Sequence, residues 1–218
     1  MRSRAIEATK ATLTLTLRQR EVLVGLLLGD GHLECSSHTP SARLKVEQSE
    51  KAAEYVRWLH DVFHEWIPGG IKSKTTFLQQ TGRTYSKHYF NTYSHAAFLS
   101  YHHLFYRGRK KIVPSTIAEL LTPLGFAIWF MDDGSIKSHE SRGRILNTHA
   151  FMETEIELLC TVLSSKFQLE AWPRRQRDGV QIFISGRSAE TLQELLEPHV
   201  IPMMRYKLPF SIRVNNSA

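Results

Sequence analysis

Leu23-Val24-Gly25-Leu26-Leu27-Leu28-Gly29-Asp30-Gly31 is an apolar run long enough for about two helical turns, closed by Asp-Gly. The same logic returns at Phe126-Ala127-Ile128-Trp129-Phe130-Met131-Asp132-Asp133-Gly134. A glycine after the last periodic residue is a usual helix stop, because it enters the left-handed region at little steric cost. The aspartate before it runs against the electrostatics. A helix C-terminus carries about −0.5 charge, which disfavours an anion there by roughly 0.3–1 kcal/mol. A chain that makes this choice twice is expected to hold a cation. Gly25 and Gly29 are four apart on one helix face, which admits a second backbone. Side-by-side packing of the two helices would bring Asp30 and Asp133 together in an oxygen-rich pocket suited to Mg²⁺ or another hard ion such as Mn²⁺.

The rest of the composition narrows the partner. A chain of 218 residues with 42% hydrophobic and 22% charged residues can bury one large core or two smaller ones. Its formal net charge of +7 points to an anionic partner, nucleic acid ahead of membrane. No apolar run approaches the ~18 residues of a membrane helix. Cys35 and Cys160 stand alone, which speaks against a disulfide framework and for a reducing, intracellular setting. His60 and His64 have zinc-helix spacing but lack the general-base glutamate and a third ligand, and are expected on a solvated face.

Taken in order, residues 1–16 are polar and basic, either a loose arm or a presequence. A helix is predicted over 17–29, strands over 32–36 and 42–49, and an amphipathic helix over 51–66 with Tyr55, Leu59, Val62, Phe63 and Trp66 as its stripe. Strands over 71–78 and 85–93 turn around Thr81-Gly82-Arg83, a helix covers 95–106, and 107–111 forms a basic loop. After a short helix over 116–121 and a second motif helix opened by Pro123, the order repeats. Strands are predicted over 135–137 and 144–150, a helix over 153–167, strands over 170–177 and 179–185 around Asp178-Gly179, and a helix over 189–196. The motif aspartates lie close to half a chain apart. The expectation is an α+β fold made of a duplicated αββαββα unit with pseudo-two-fold symmetry, divided into an arm (1–16), a first half (17–115) and a second half (116–218).

At these motifs the chain resembles the LAGLIDADG homing endonucleases, intron-encoded site-specific DNases of the single-chain, two-motif branch. The residues that carry it are Leu23, Gly25, Leu26, Asp30 and Gly31, the second motif Trp129-Phe130-Met131-Asp132-Asp133-Gly134, and the segments Lys110-Lys111-Ile112-Val113-Pro114 and Met203-Met204-Arg205-Tyr206-Lys207-Leu208-Pro209. The resemblance implies a monomer that cuts both strands of a long, asymmetric duplex with Mg²⁺ or a similar divalent ion. It places the metal-binding acids at Asp30 and Asp133, with the carbonyls of Gly29 and Asp132 as further ligands. It places charge-stabilising lysines at Lys111 and Lys207, and a water-ordering residue at Gln48, whose counterpart by position is His149. Ile128 departs from the pattern where the first motif has Gly25, leaving Gly125 or Ala127 to supply the close approach.

Four strands per half can form a curved sheet with one face on DNA. The polar candidates for that contact are Lys72, Lys74, Arg83, Lys87, His88, Arg174, Arg175, Arg177 and Gln181. Two rivals from other classes come with the family. One is a maturase that binds intron RNA; the other is a non-cleaving DNA-binding protein. The presence of both motif acids favours the nuclease. The implied compartment is one with DNA, an organelle or a bacterial cytoplasm, and no membrane partner is implied.

Overall fold

The computed structural model describes residues 2–36, 39–80, 82–138 and 141–210. The chain divides into two compact units, Met1–Arg20 with Asp30–His103, and Glu21–Gly29 with Leu104–Ala218. The fold is α+β, and each unit carries one four-stranded antiparallel sheet.

Helix α1 spans Arg2–Thr12 and is largely exposed, so the stretch expected as a loose arm or a presequence is helical. Helix α2 spans Leu17–Leu28. Thr16 and Gln19 start it with a reciprocal capping box: the Gln19 N–H donates to Thr16 Oγ1 at 3.2 Å and the Thr16 N–H donates to Gln19 Oε1 at 3.0 Å. In the first unit follow β1 (His32–Cys35), β2 (Ala42–Ser49), α3 (Ala53–Val62), β3 (Lys72–Leu78), β4 (Arg83–Asn91) and all but the last two residues of α4 (Ala96–Phe105). Their sheet has the order β1-β2-β4-β3. α3 packs on β2 and β4, and Tyr55, Leu59, Phe63 and Trp66 are fully buried against Leu33, Leu44, Val46, Phe90 and Phe98. Val62, the fifth member of the predicted stripe, is half-buried, and single turns of 3-10 helix flank α3. Of the expected turn around Thr81-Gly82-Arg83, Gly82 takes φ +63° and Arg83 already belongs to β4, while Thr81 lies outside the described residues.

The second unit contains β5 (Tyr106–Arg107), β6 (Lys110–Lys111), α5 (Ile117–Leu120), α6 (Pro123–Asp133), β7 (Gly134–Ile136), β8 (Arg144–Leu146), α7 (Glu153–Phe167), β9 (Ala171–Gln176), β10 (Gly179–Ile184) and α8 (Ala189–Leu196). Its sheet order β7-β8-β10-β9 repeats the first sheet position for position, which is the duplication expected from the repeated element order. α7 covers β9 and β10, burying Ile156, Leu159 and Leu163 over Ile182 and Ile184, and Phe126 stacks on Phe167 at 5.5 Å between ring centroids.

Three local expectations are corrected. Residues 107–111 are not an open loop but a two-stranded hairpin turning at Gly108, with φ +60°. The strand expected over 144–150 stops at Leu146, one residue short of the bond that the Asn147 N–H still donates to the Asp133 carbonyl in the same register. Gly134 is not a left-handed helix stop. It is extended (φ −70°, ψ 137°), and glycine is needed there because a Cβ would lie 2.3 Å from the Phe130 carbonyl oxygen.

Of the two cysteines, Cys35 is exposed and Cys160 is buried. Burial, with Glu157 adding to it, pushes the Cys160 thiol up to about 12. At pH 8 only about one part in ten thousand of it would be thiolate. A thiol titration of the native protein is expected to show one fast-reacting group, Cys35, with the second appearing only on unfolding. Two fast thiols would contradict the burial.

Candidate functional site

In the second unit residues 21–29, the greater part of α2, pack directly on α6. The apolar runs Val22–Leu28 and Phe126–Met131 are buried on every side, so neither run shows a polar face. The contact is set by glycine. A Cβ on Gly25 would lie 2.2 Å from the Gly125 carbonyl oxygen and 2.6 Å from Ile128 Cβ, and one on Gly125 would lie 3.0 Å from the Glu21 oxygen. Gly125, not Ala127, therefore supplies the approach left open at Ile128. Gly29 meets the side chain of Asp132, whose Oδ2 would be 2.4 Å from a Cβ there.

Both helix ends point carbonyls at a cation, and in the structure that cation is lysine. Lys111 Nζ donates to the Gly29 carbonyl at 2.6 Å. Lys207 Nζ donates to the Met131 carbonyl and, at 3.2 Å, to that of Asp132. The remaining two of the last four α6 carbonyls are also held: Phe130 accepts from the Gly134 N–H, and Asp133 accepts from Asn147 through its backbone N–H at 3.1 Å and its Nδ2 at 3.0 Å. Gln181 Nε2 in turn donates to Asn147 Oδ1 at 2.8 Å. The negative end of each motif helix thus has a lysine's positive charge against it.

Asp30 lies in the first unit, where Gln48 Nε2 donates to its Oδ2 at 2.9 Å. The two line an open cleft of about 370 Å³ with His32, Lys45, Glu47, Ser49 and Lys87. His149, expected as the counterpart of Gln48, sits exposed in the turn after β8, beside Gly179. Asn147, which sequence reasoning passed over, occupies the place beside the second motif's end. Its signal is an amide one residue beyond a three-residue strand that is buried throughout, too weak to find unaided.

Strand register sorts the remaining candidates. In the first sheet Lys72, Lys74, Arg83 and Lys87 share the outer face with Arg43 and Lys45. Glu34 and Glu47 are interleaved among them: Arg43–Glu34 is 2.7 Å, Lys45–Glu47 3.7 Å and Lys87–Glu47 2.7 Å. The hydrogen bond from Lys87, with the fields of Lys87, Lys45 and Lys74, holds the Glu47 carboxyl below its usual range. With six basic against two acidic side chains, the face remains positive. His88 is on the opposite face, bonded to Ser73 Oγ at 3.0 Å. In the second sheet Arg174 and Gln181 are cross-strand partners on the outer face beside Trp172 and Phe183. Arg175 points to the other face and pairs with Glu153 at 2.6 Å, and Arg177 is exposed in the turn after β9.

The donor set fits a hard divalent ion. Among the described residues no three His, Cys, Asp or Glu side chains gather as a metal cage. One carboxylate and carbonyl oxygens at a negative helix end suit Mg²⁺, which keeps several waters and takes substrate phosphates as ligands.

Comparison with known proteins gives concordant matches. The family described as the LAGLIDADG DNA endonuclease family matches residues 20–192. A probable intron-encoded endonuclease of Wickerhamomyces canadensis is 29% identical over 91% of this chain and 87% of its own. A cytochrome b mRNA maturase of Debaryomyces hansenii is 27% identical over 86% of this chain and 72% of its own. The solved structure of the homing endonuclease I-WcaI bound to its DNA recognition sequence superposes with a TM-score of 0.89, at 27% identity, over 95% of this chain and 93% of that one.

Proposed function

The chain belongs to the LAGLIDADG DNA endonuclease family, and from that membership we propose that it is a site-specific double-strand DNA endonuclease dependent on a divalent ion, Mg²⁺ or Mn²⁺. The observation that carries this reading is the pair of motif helix ends, each bearing its aspartate and each with a lysine ammonium on carbonyls at that end. Proteins of this fold that only bind nucleic acid have no need of both acids.

Asp30 and Asp133 would each offer a carboxylate to a divalent ion at its own motif end, with carbonyl oxygens of Gly29 and Asp132 as further donors. When bound, such an ion lowers the pKa of the attacking water and neutralises charge on the leaving oxygen. Gln48 restrains the Asp30 carboxylate through its hydrogen bond, and Asn147 fixes the backbone at Asp133. Lys111 and Lys207 place positive charge at the scissile phosphates, and can exchange a carbonyl for a phosphate oxygen as charge develops there. Each sheet's outer face would take one half of an asymmetric target, with Lys72, Lys74, Arg83, Lys87, Arg174, Arg177 and Gln181 in contact. His88 and Arg175, already engaged on the other faces, become secondary candidates.

The test is selection from randomised duplexes. One target class is expected to be cut on both strands with Mg²⁺ and none with EDTA. Binding should weaken at least tenfold between 50 and 200 mM salt, because phosphate contacts release counterions. The relative that is a cytochrome b mRNA maturase favours one second reading, intron RNA as a partner, and with it an organelle. Stimulated splicing of a bound intron RNA, with no duplex cut in Mg²⁺ or Mn²⁺, would replace the nuclease reading with that one.

A further inference from the structure

Among the described residues of the second unit two charged side chains are buried, Arg144 at 3% exposure and Glu155 at 8%. Neither has a part in the proposed cleavage. Removing a charge from water costs several kcal/mol unless it is well hydrogen-bonded, and apolar residues of similar volume commonly serve stability as well or better. What these two charges hold is therefore informative.

All the described hydrogen bonds of Arg144 end on main-chain carbonyls. Nε donates to Lys207 O at 2.7 Å and Nη2 to Leu208 O at 2.6 Å, while Nη1 reaches Gly143 O at 3.0 Å, Arg142 O at 3.1 Å and Ser141 O at 3.4 Å. The guanidinium thus ties the segment carrying Lys207 to the start of β8. Glu155 does the same for the other lysine: its Oε2 accepts from the Met152 N–H at 2.7 Å and its Oε1 from the Val113 N–H at 3.1 Å, two residues beyond Lys111. Each lysine that caps a motif helix is thus followed at once by backbone pinned to a buried charge.

We propose that Arg144 and Glu155 are positioning residues, each setting the place of one lysine ammonium, Arg144 for Lys207 and Glu155 for Lys111. The inference rests on the nuclease reading. Since the two lysines sit at different helix ends, loosening either should slow cleavage of one strand, and the two substitutions should affect opposite strands. A merely structural role would slow both strands together. Arg144→Lys offers one ammonium where five carbonyls were held. Glu155→Gln keeps its shape but replaces one of two accepting oxygens with an N–H₂.

The experiment follows each strand separately on an end-labelled duplex of the selected target. DNA affinity and thermal unfolding are measured on the same preparations. Groups that orient a metal site from behind commonly carry tenfold to hundredfold effects. Arg144→Lys is expected to shift the ratio of the two strand rates by at least about tenfold, accumulating nicked product, and Glu155→Gln to shift it the other way. Added to Lys207→Met, Arg144→Lys should cause no further shift. Should Arg144→Lys fold poorly, Arg144→Ala with guanidinium ion in solution supplies the second arm, and restoration of the ratio supports the assignment. Equal slowing of both strands, or two variants affecting the same strand, overturns the inference while leaving the nuclease standing. An unaltered protein that binds duplexes but cuts none overturns the nuclease reading, and this one with it.

Discussion

Asp133→Asn is expected to leave DNA affinity within about threefold of the unaltered protein and to slow cleavage of one strand by more than a hundredfold, an effect of the size seen when one charge-stabilising group is removed from an active site. The substitution keeps the shape and one oxygen but removes the charge a hard divalent ion needs. The Asp133 backbone is held independently by Asn147 at 3.0 and 3.1 Å, so the local fold should persist. Asp30→Asn is the matched case for the other strand, and there Gln48 can still bond the remaining carbonyl oxygen. Plasmid nicking separates the outcomes: each single variant should give open circles, and the double variant intact supercoils. Normal linearisation by both single variants would remove the aspartates from the metal site.

The second large effect is on stability. Gly25→Ala gains roughly 1 kcal/mol in helix propensity, so an unobstructed position would be stabilised. Here the new Cβ would lie 2.2 Å from the backbone oxygen of Gly125, a group that cannot rotate aside. Overpacking of this kind costs about 1–3 kcal/mol and outweighs the propensity gain, and Gly25→Val should cost more still. Against a total stability of about 5–15 kcal/mol, either is readable in the midpoint of urea unfolding. Gly70→Ala is the control, since nothing lies within 4 Å of its Cβ position. A stabilised Gly25→Ala protein would show that the helices do not cross at Gly25 and Gly125.

Much of the architecture could be read directly because apolar periodicity reports burial. β2 at Ala42–Ser49 and α8 at Ala189–Leu196 begin and end where the pattern predicts, and the repeated element order anticipates two sheets of the same strand order. The misreadings have local causes. Arg107 to Lys111 has no apolar alternation, yet Gly108 in the left-handed region turns it into a hairpin. The match of His149 to Gln48 by position assumes a strand that ends three residues before it. His88 and Arg175 are polar positions within strands, and only register shows them on the far faces of their sheets.

By itself the sequence determined the two motif helices, their closing aspartates, the basic balance and the duplicated α+β order, all properties of neighbouring residues or of their repeat. Tertiary structure alone decided which groups hold the helix-end carbonyls. Lys111 lies 82 positions from Gly29, Lys207 lies 76 from Met131, and Arg144 lies 63 from Lys207. Hydrogen bonds depend on distance in space, and a linear pattern of hydrophobicity carries no information about which distant polar groups folding will bring within 3 Å.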